Sequence, residues 1–204
     1  YYACAIHPTS GSNYFLAGSQ DNGTQQYSSA GMNATAEATG GDGAYCHIDQ
    51  TNGDYQTTSY VYNDFYHSSD GGTNFNNIST DQNTGKFINP SDLDDNLNIL
   101  YTFKTATSLY KVTGFQSSSP VVSNMNISNL LSEATNLKVS PYTTTSTTLF
   151  IGTEAGRLFK ITNANSNPVS TNITGNSFPT GSVSCIEFGQ TENQIIVTFS
   201  NYGV

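Results

Sequence analysis

Two aspartates stand in turn-forming surroundings, Asp21 in Gln20-Asp21-Asn22-Gly23 and Asp42 in Gly40-Gly41-Asp42-Gly43. Two carboxylates flanking a glycosidic bond can protonate the leaving oxygen and either activate water or attack the sugar. Loops are where such groups usually sit. Asp21 and Asp42 are therefore the catalytic candidates, and Asp42 with Asn22 the binding candidates. Each aspartate also has a structural reading, and we take that one. Asp21 opens an Asp-Asn-Gly hairpin turn, and Gly-Gly-Asp-Gly lets a backbone come close to its neighbour. Oxygen side chains alternate along Asp92-Leu93-Asp94-Asp95-Asn96, an arrangement that suits the hard cation Ca2+. Asp92, Asp94 and Asn96 are thus a candidate calcium site. It is no EF-hand, because Leu97 and Phe103 stand where that loop needs Gly and Glu. A solvated acidic turn is the plainer reading. His7, His47 and His67 have no zinc-like spacing. No phosphate loop, serine elbow or Cys-x-x-Cys pair is present, and no organic cofactor is implied.

The surrounding chain has 204 residues, 10% charged and 35% hydrophobic, with a net charge of −9. A basic patch for a phosphate backbone or an anionic membrane is missing, which excludes nucleic-acid partners. No apolar run reaches the roughly 18 residues of a membrane span, so membrane insertion is not expected. With 13 Tyr and 11 Phe in short runs between polar stretches, the composition predicts many short strands rather than disorder. The chain opens directly in Tyr-Tyr-Ala-Cys-Ala-Ile and reads as a piece of something longer.

The elements that position these residues repeat. Cys4–Thr9, Cys46–Thr51, Lys86–Ser91, Leu137–Tyr142 and Ile186–Thr191 align, with Ile6, Ile48, Ile88, Val139 and Phe188 in one apolar column. Two residues earlier stand Cys4, Cys46, Lys86, Leu137 and Ile186, and spacing by two puts both columns on one strand face. A polar turn, a second apolar run and a third aromatic-bearing run follow. The turn residues His7, Asp49, Asn89, Ser140 and Gly189 recur at roughly forty to fifty residues, the period of a β-propeller blade. The expectation is an all-β chain, one propeller segment with blades over 1–40, 41–82, 83–130, 131–178 and an incomplete fifth over 179–204, taken from a propeller of six to eight blades. The best stretch for a short helix is Ile127–Ala134. Cys4 and Cys46 share a column, and the expectation is two buried thiols rather than a disulfide, which would need Cα atoms within about 7 Å.

Ser68-Ser69-Asp70-Gly71-Gly72-Thr73-Asn74-Phe75 resembles an Asp-box, the Ser-x-Asp-x-Gly-x-Thr-Trp hairpin of bacterial neuraminidase repeats. Ser68, Asp70 and Gly72 match; Asn74 and Phe75 replace Thr and Trp. The wider pattern, from Ala17-Gly18-Ser19-Gln20-Asp21-Asn22-Gly23 to Gly40-Gly41-Asp42-Gly43-Ala44-Tyr45-Cys46, is similar to the sortilin-like repeats of large secreted surface proteins of Bacteroidetes exported by the type IX system. The resemblance implies that Ser68, Asp70, Gly72 and Phe75 are structural, bracing a hairpin and packing its aromatic inward.

It also implies an extracellular, cell-surface location. Sialidases related by such repeats hold a carboxylate with three arginines, and this chain has only Arg157. The reading is therefore a non-catalytic module that binds glycan or protein. The alternatives are a xyloglucanase- or sialidase-like glycoside hydrolase completed by further blades, and a structural or filament subunit joined through open sheets. Its partners would be a glycan or protein ligand, and further blades of the same protein or neighbouring chains.

Overall fold

The computed structural model describes residues 1–117 and 119–201; the end of the fifth expected blade, 202–204, lies outside them. Among the described residues there is no helix, and so none long and apolar enough to cross a membrane. The strands form successive antiparallel meanders. The first is β1 (Ala3–Ile6), β2 (Phe15–Ser19), β3 (Gly23–Tyr27) and β4 (Ala36–Thr39), and the second is β5 (Cys46–Ile48), β6 (Gln56–Ser59), β7 (Asn63–Ser68) and β8 (Asn76–Asp81). The third is β9 (Ser91–Asp94), β10 (Ile99–Thr105), β11 (Ser108–Thr113) and β12 (Val121–Asn126), and the fourth is β13 (Ala134–Val139), β14 (Leu149–Thr153), β15 (Leu158–Thr162) and β16 (Val169–Asn172). A two-stranded fifth sheet pairs β17 (Ser182–Phe188) with β18 (Ile195–Ser200). Short strands joined by tight polar turns are what alternating aromatic and hydroxyl runs dictate.

By internal contacts the chain divides into two compact units, residues 1–89 with 112–122, and residues 90–111 with 123–204. In the first unit Leu16, Cys46 and Ile48 form a buried cluster, with Ala5, Tyr14, Ala38 and Phe75 packed on it. The second unit has a larger core that includes Tyr101, Phe103, Leu109, Leu137, Leu149, Ile151 and Ile161. Each such side chain contributes roughly 1.5–3 kcal/mol by leaving water. A further cluster joins Phe150 and Leu158 of the fourth sheet to Val183 and Ile186 of the fifth.

Two pairs of successive sheets, one in each unit, meet at glycine. A Cβ on Gly18 of β2 would overlap the Ala44 carbonyl, just ahead of β5, and one on Gly152 of β14 would overlap the Val183 side chain of β17. Neither residue has the positive φ that favours glycine, so it is proximity that selects it here.

Three expectations change. The first strand of the third sheet is Ser91–Asp94, not the Lys86–Ser91 segment aligned on Ile88. Asn89 instead lies buried in the connection, donating to the Asn63 side-chain oxygen at 2.8 Å and accepting from the Lys86 N–H at 3.0 Å. Asp94 takes the turn position, accepting from the backbone N–H groups of Asn96 and Leu97 as Asp49 accepts from those of Thr51 and Asn52. The turn residues are then His7, Asp49, Asp94, Ser140 and Gly189, more evenly spaced than before. The sequence misleads because this strand, Ser-Asp-Leu-Asp, has one apolar residue.

Secondly, Cys46 is buried but Cys4 is exposed, and Cys4, Cys46 and Cys185 are all free thiols. Thirdly, residues 127–133 form no helix; the Ile127 and Leu130 N–H groups donate to Thr107 and Ala106 carbonyls in the β10–β11 turn, and Leu130 is buried.

Gly18→Ala is expected to cost more stability than Gly152→Ala, within about 1–3 kcal/mol for overpacking, because a backbone carbonyl cannot swing aside as a valine side chain can. Urea midpoints of the two variants check the order.

Candidate functional site

The turn between second and third strands and the connection from a fourth strand to the next sheet carry Asp21, Asn22 and Asp42. In the first sheet these are the Ser19–Gly23 turn and the 40–45 connection. Asp21 takes φ 62° to close the turn, and its N–H donates to Asp42 Oδ1 at 2.8 Å. The Gly23 N–H donates to the Gly41 carbonyl at 2.7 Å, and the Gly43 N–H to Ser19 at 2.9 Å. Asn22 Nδ2 turns back to the Gln20 carbonyl at 3.1 Å. The structure thus brings Asp21 and Asp42 together, with the Asp42 carboxylate used as an acceptor for the other residue's backbone. A charged acceptor on a backbone N–H braces a turn.

Asp70 lies in the turn between β7 and β8. Its Oδ1 accepts the Asn74 N–H at 2.9 Å, and Oδ2 accepts the Asn74 side-chain amide at 2.7 Å. These bonds, the side-chain one foremost, with the Ser68 hydroxyl, hold its carboxyl below the ordinary value of 3.8. The buried Ser68 hydroxyl donates to Asp70 Oδ1 at 2.8 Å and accepts the Gly72 N–H at 2.9 Å. Gly71 and Gly72 adopt φ 69° and 82°, conformations that side chains disfavour. A Cβ on Gly72 would also overlap the Tyr14 hydroxyl. That hydroxyl donates to Gln56 Oε1 at 2.7 Å, and burial pushes the phenol up to about 12. Phe75 packs against the Leu16–Cys46–Ile48 cluster. Ser68, Asp70 and Asn74 thus bond within the turn, and Phe75 joins the core.

Asp92, Asp94 and Asn96 are directed to different tasks. Asp94 Oδ1 caps its own turn, while Oδ2 accepts from the buried Thr147 hydroxyl at 2.6 Å, which in turn accepts from Tyr101 at 3.0 Å. Asn96 donates its amide to the Thr143 carbonyl at 2.8 Å. Asp92 Oδ2 accepts the Val139 N–H at 2.7 Å, tying β9 to β13. Burial pushes the Asp92 carboxyl up to about 6, opposed by nearby Lys138 and that N–H. Among the described residues no three His, Cys, Asp or Glu side chains gather where they could hold a metal ion.

The histidines also stay apart. His67 is buried, with Nε2 3.0 Å from the Phe115 carbonyl, and burial lowers its pKa, so the ring is neutral with its proton on Nε2. His7 Nδ1 accepts the Thr9 N–H at 3.2 Å in the β1–β2 turn.

A cleft that the residue patterns missed lies at the same end of the fourth sheet. Arg157 closes the β14–β15 turn, and the connection after β16 folds over it to leave a space of about 510 Å3. Sequence marked Arg157 as the single arginine; the far wall, 175–180, is irregular chain with no periodicity to read.

No family model matches the chain, and no curated protein matches it in sequence. Solved structures do match in shape. Sqt1 of Saccharomyces cerevisiae superposes with TM-score 0.68 at 11% identity, over 92% of this chain and 52% of that one. BBS1N, solved in complex with ARL6DN, gives TM-score 0.63 at 9% identity over 93% and 56%. YCF48 bound to D1 peptide gives 0.57 at 10% over 93% and 57%. The chain spans about half the length of these structures.

Two variants test the local chemistry. Ser68→Ala strands the buried Gly72 N–H and is expected to lower stability by about 1–2 kcal/mol, read as a shift in urea midpoint. A raised carboxyl supports folding below its ordinary value of 3.8 and withdraws that support as pH rises through about 6. Asp92→Asn keeps an acceptor without the charge. Its stability is therefore expected to fall less than the wild type's between about pH 4 and about pH 7, measured by urea titration at both.

With four four-stranded antiparallel sheets, a two-stranded fifth and propeller-like structural neighbours, the chain has the β-propeller fold, in four blades and a partial fifth.

Proposed function

We propose that this chain is a non-catalytic β-propeller binding module that works through protein contacts. The observation that carries this reading is an uncovered apolar face on the first sheet. On the second sheet Cys46 and Ile48 are buried under Ala5, Leu16 and Tyr14. At the same register of the first sheet, Cys4 and Ile6 are exposed, Ile6 by 69%. Beside them Tyr2, Phe15 and Ala17 line a groove of about 470 Å3. Exposed apolar patches of this kind mark interaction surfaces.

The equivalent buried face supports another sheet of the same repeat as the occupant. The fully buried first-sheet residue over Cys46 and Ile48 is Leu16, paired with Ala5. Its counterpart in the fifth sheet is Ile196, paired with Glu187 and 67% exposed. For this chain alone the sheet available is that of a second copy, docking Ile196 onto Ile6 head to tail. The brace between Asp42 and the Asp21 N–H favours the non-catalytic reading over a glycoside hydrolase. Through the likeness of the Ser68–Asp70–Gly72 hairpin to an Asp-box, the proposal extends to a secreted propeller.

Light scattering of the 204-residue chain is expected to show a mass that grows with concentration, and Ile6→Lys or Ile196→Lys to return it to monomer. A wild-type monomer at every concentration would overturn self-association and point to further blades as the occupant.

A further inference from the structure

We propose that the cleft at Arg157 is a binding site for a peptide carboxylate. Arg157 is the chain's single arginine. It is exposed, and among the described residues no hydrogen-bond or ion-pair partner engages its guanidinium. Around it stand Asn172, Thr174, Asn176, Phe178 and Thr180. A planar guanidinium pairs two-fold with a carboxylate. The Asn172 Nδ2 group, the Asn176 amide and the Thr180 hydroxyl suit the backbone N–H and C=O groups that flank it in a peptide. Phe178 supplies an apolar patch in a lining that is otherwise mainly polar.

The site is held in shape before any ligand arrives. The Arg157 N–H donates to Thr153 Oγ1 at 3.1 Å, and the Gly156 N–H to the Thr153 carbonyl at 3.1 Å. Gly156 takes φ 71°, and a Cβ there would press on the Pro179 carbonyl, so only glycine lets the two walls come this close. On the other side, Thr174 Oγ1 accepts the Leu158 N–H at 3.0 Å and donates to Asn172 Oδ1 at 2.6 Å. The Ile173 N–H reaches the Leu158 carbonyl at 2.8 Å. Phe178 is fixed edge-on to Phe199, centroids 5.1 Å apart, and its N–H bonds the Gly175 carbonyl at 3.1 Å. Walls that need no ordering lose less entropy on binding. In a chain of net charge −9, a lone cationic head in such a cleft selects for an isolated carboxylate rather than a dense anionic surface.

The test is NMR titration of the intact chain with three probes: acetyl-glutamate N-methylamide, its glutamine isostere, and acetyl-Gly-Gly-Ala with a free C-terminus. Amide shifts at Gly156, Arg157, Gly175 and Thr180 are expected with a carboxylate probe and not with the glutamine isostere. Whether the glutamate or the free C-terminus gives the stronger saturation assigns the carboxylate to a side chain or to a chain end. Arg157→Gln should abolish the shifts and Arg157→Lys weaken them by several-fold, with resonances elsewhere unmoved. Equal shifts from the isostere, persistence in Arg157→Gln, or no shift with either carboxylate would overturn the proposal.

Discussion

The structure depends on how closely one sheet can lie against the next. At Gly18 the next sheet's approach is set by the Ala44 carbonyl, and at Gly152 by Val183. A side chain at either point would hold the sheets apart and open the clusters behind them, Leu16 with Cys46 and Ile48 in one unit, Phe150 with Val183 and Ile186 in the other. Interiors at crystal-like density tolerate no such gap. The apolar content of the chain is only 35%, and these two clusters are small, with three and four buried residues.

Polar groups supply the remaining order. Buried donors and acceptors must be paired, and here the pairing is local and repeated. Asp49, Asp94 and Ser140 each accept backbone N–H groups two or three residues ahead, at the same place in successive sheets. Between the fourth and fifth sheets, Glu192 takes the Ser140 hydroxyl at 2.8 Å and the Lys160 ammonium at 2.6 Å. Low charge and abundant Ser, Thr and Asn are thus not signs of disorder. They are the material of a fold in which turns are built from side chains as much as from backbone.

Much of this was legible in the residues. The second and third strands of the fourth blade follow from the runs at Leu149-Phe150-Ile151 and Leu158-Phe159, because these apolar residues are buried. The third blade's first strand was hidden, since Ser91 and Asp92 gain their place from partners such as the Val139 N–H rather than from hydropathy. Cys4 and Ile6 misled in the opposite direction: their pattern is that of a buried face, and both are exposed. The bond from the Asp21 N–H to Asp42 joins two loops 21 residues apart, a distance over which sequence spacing carries no information. The Arg157 cleft escaped for the same reason, because its opposing walls come from separate connections.

The two register-equivalent cysteines have opposite chemistry. Burial pushes the Cys46 thiol up to about 12, so at neutral pH it carries almost no thiolate and is inert toward alkylating reagents. Cys4 sits on the exposed face of the same column. The pair forms an internal ruler: the chain carries its own protected reference thiol beside a reporter thiol. The rate at which position 4 is alkylated therefore records, in any preparation and without an added label, whether something lies over the first sheet.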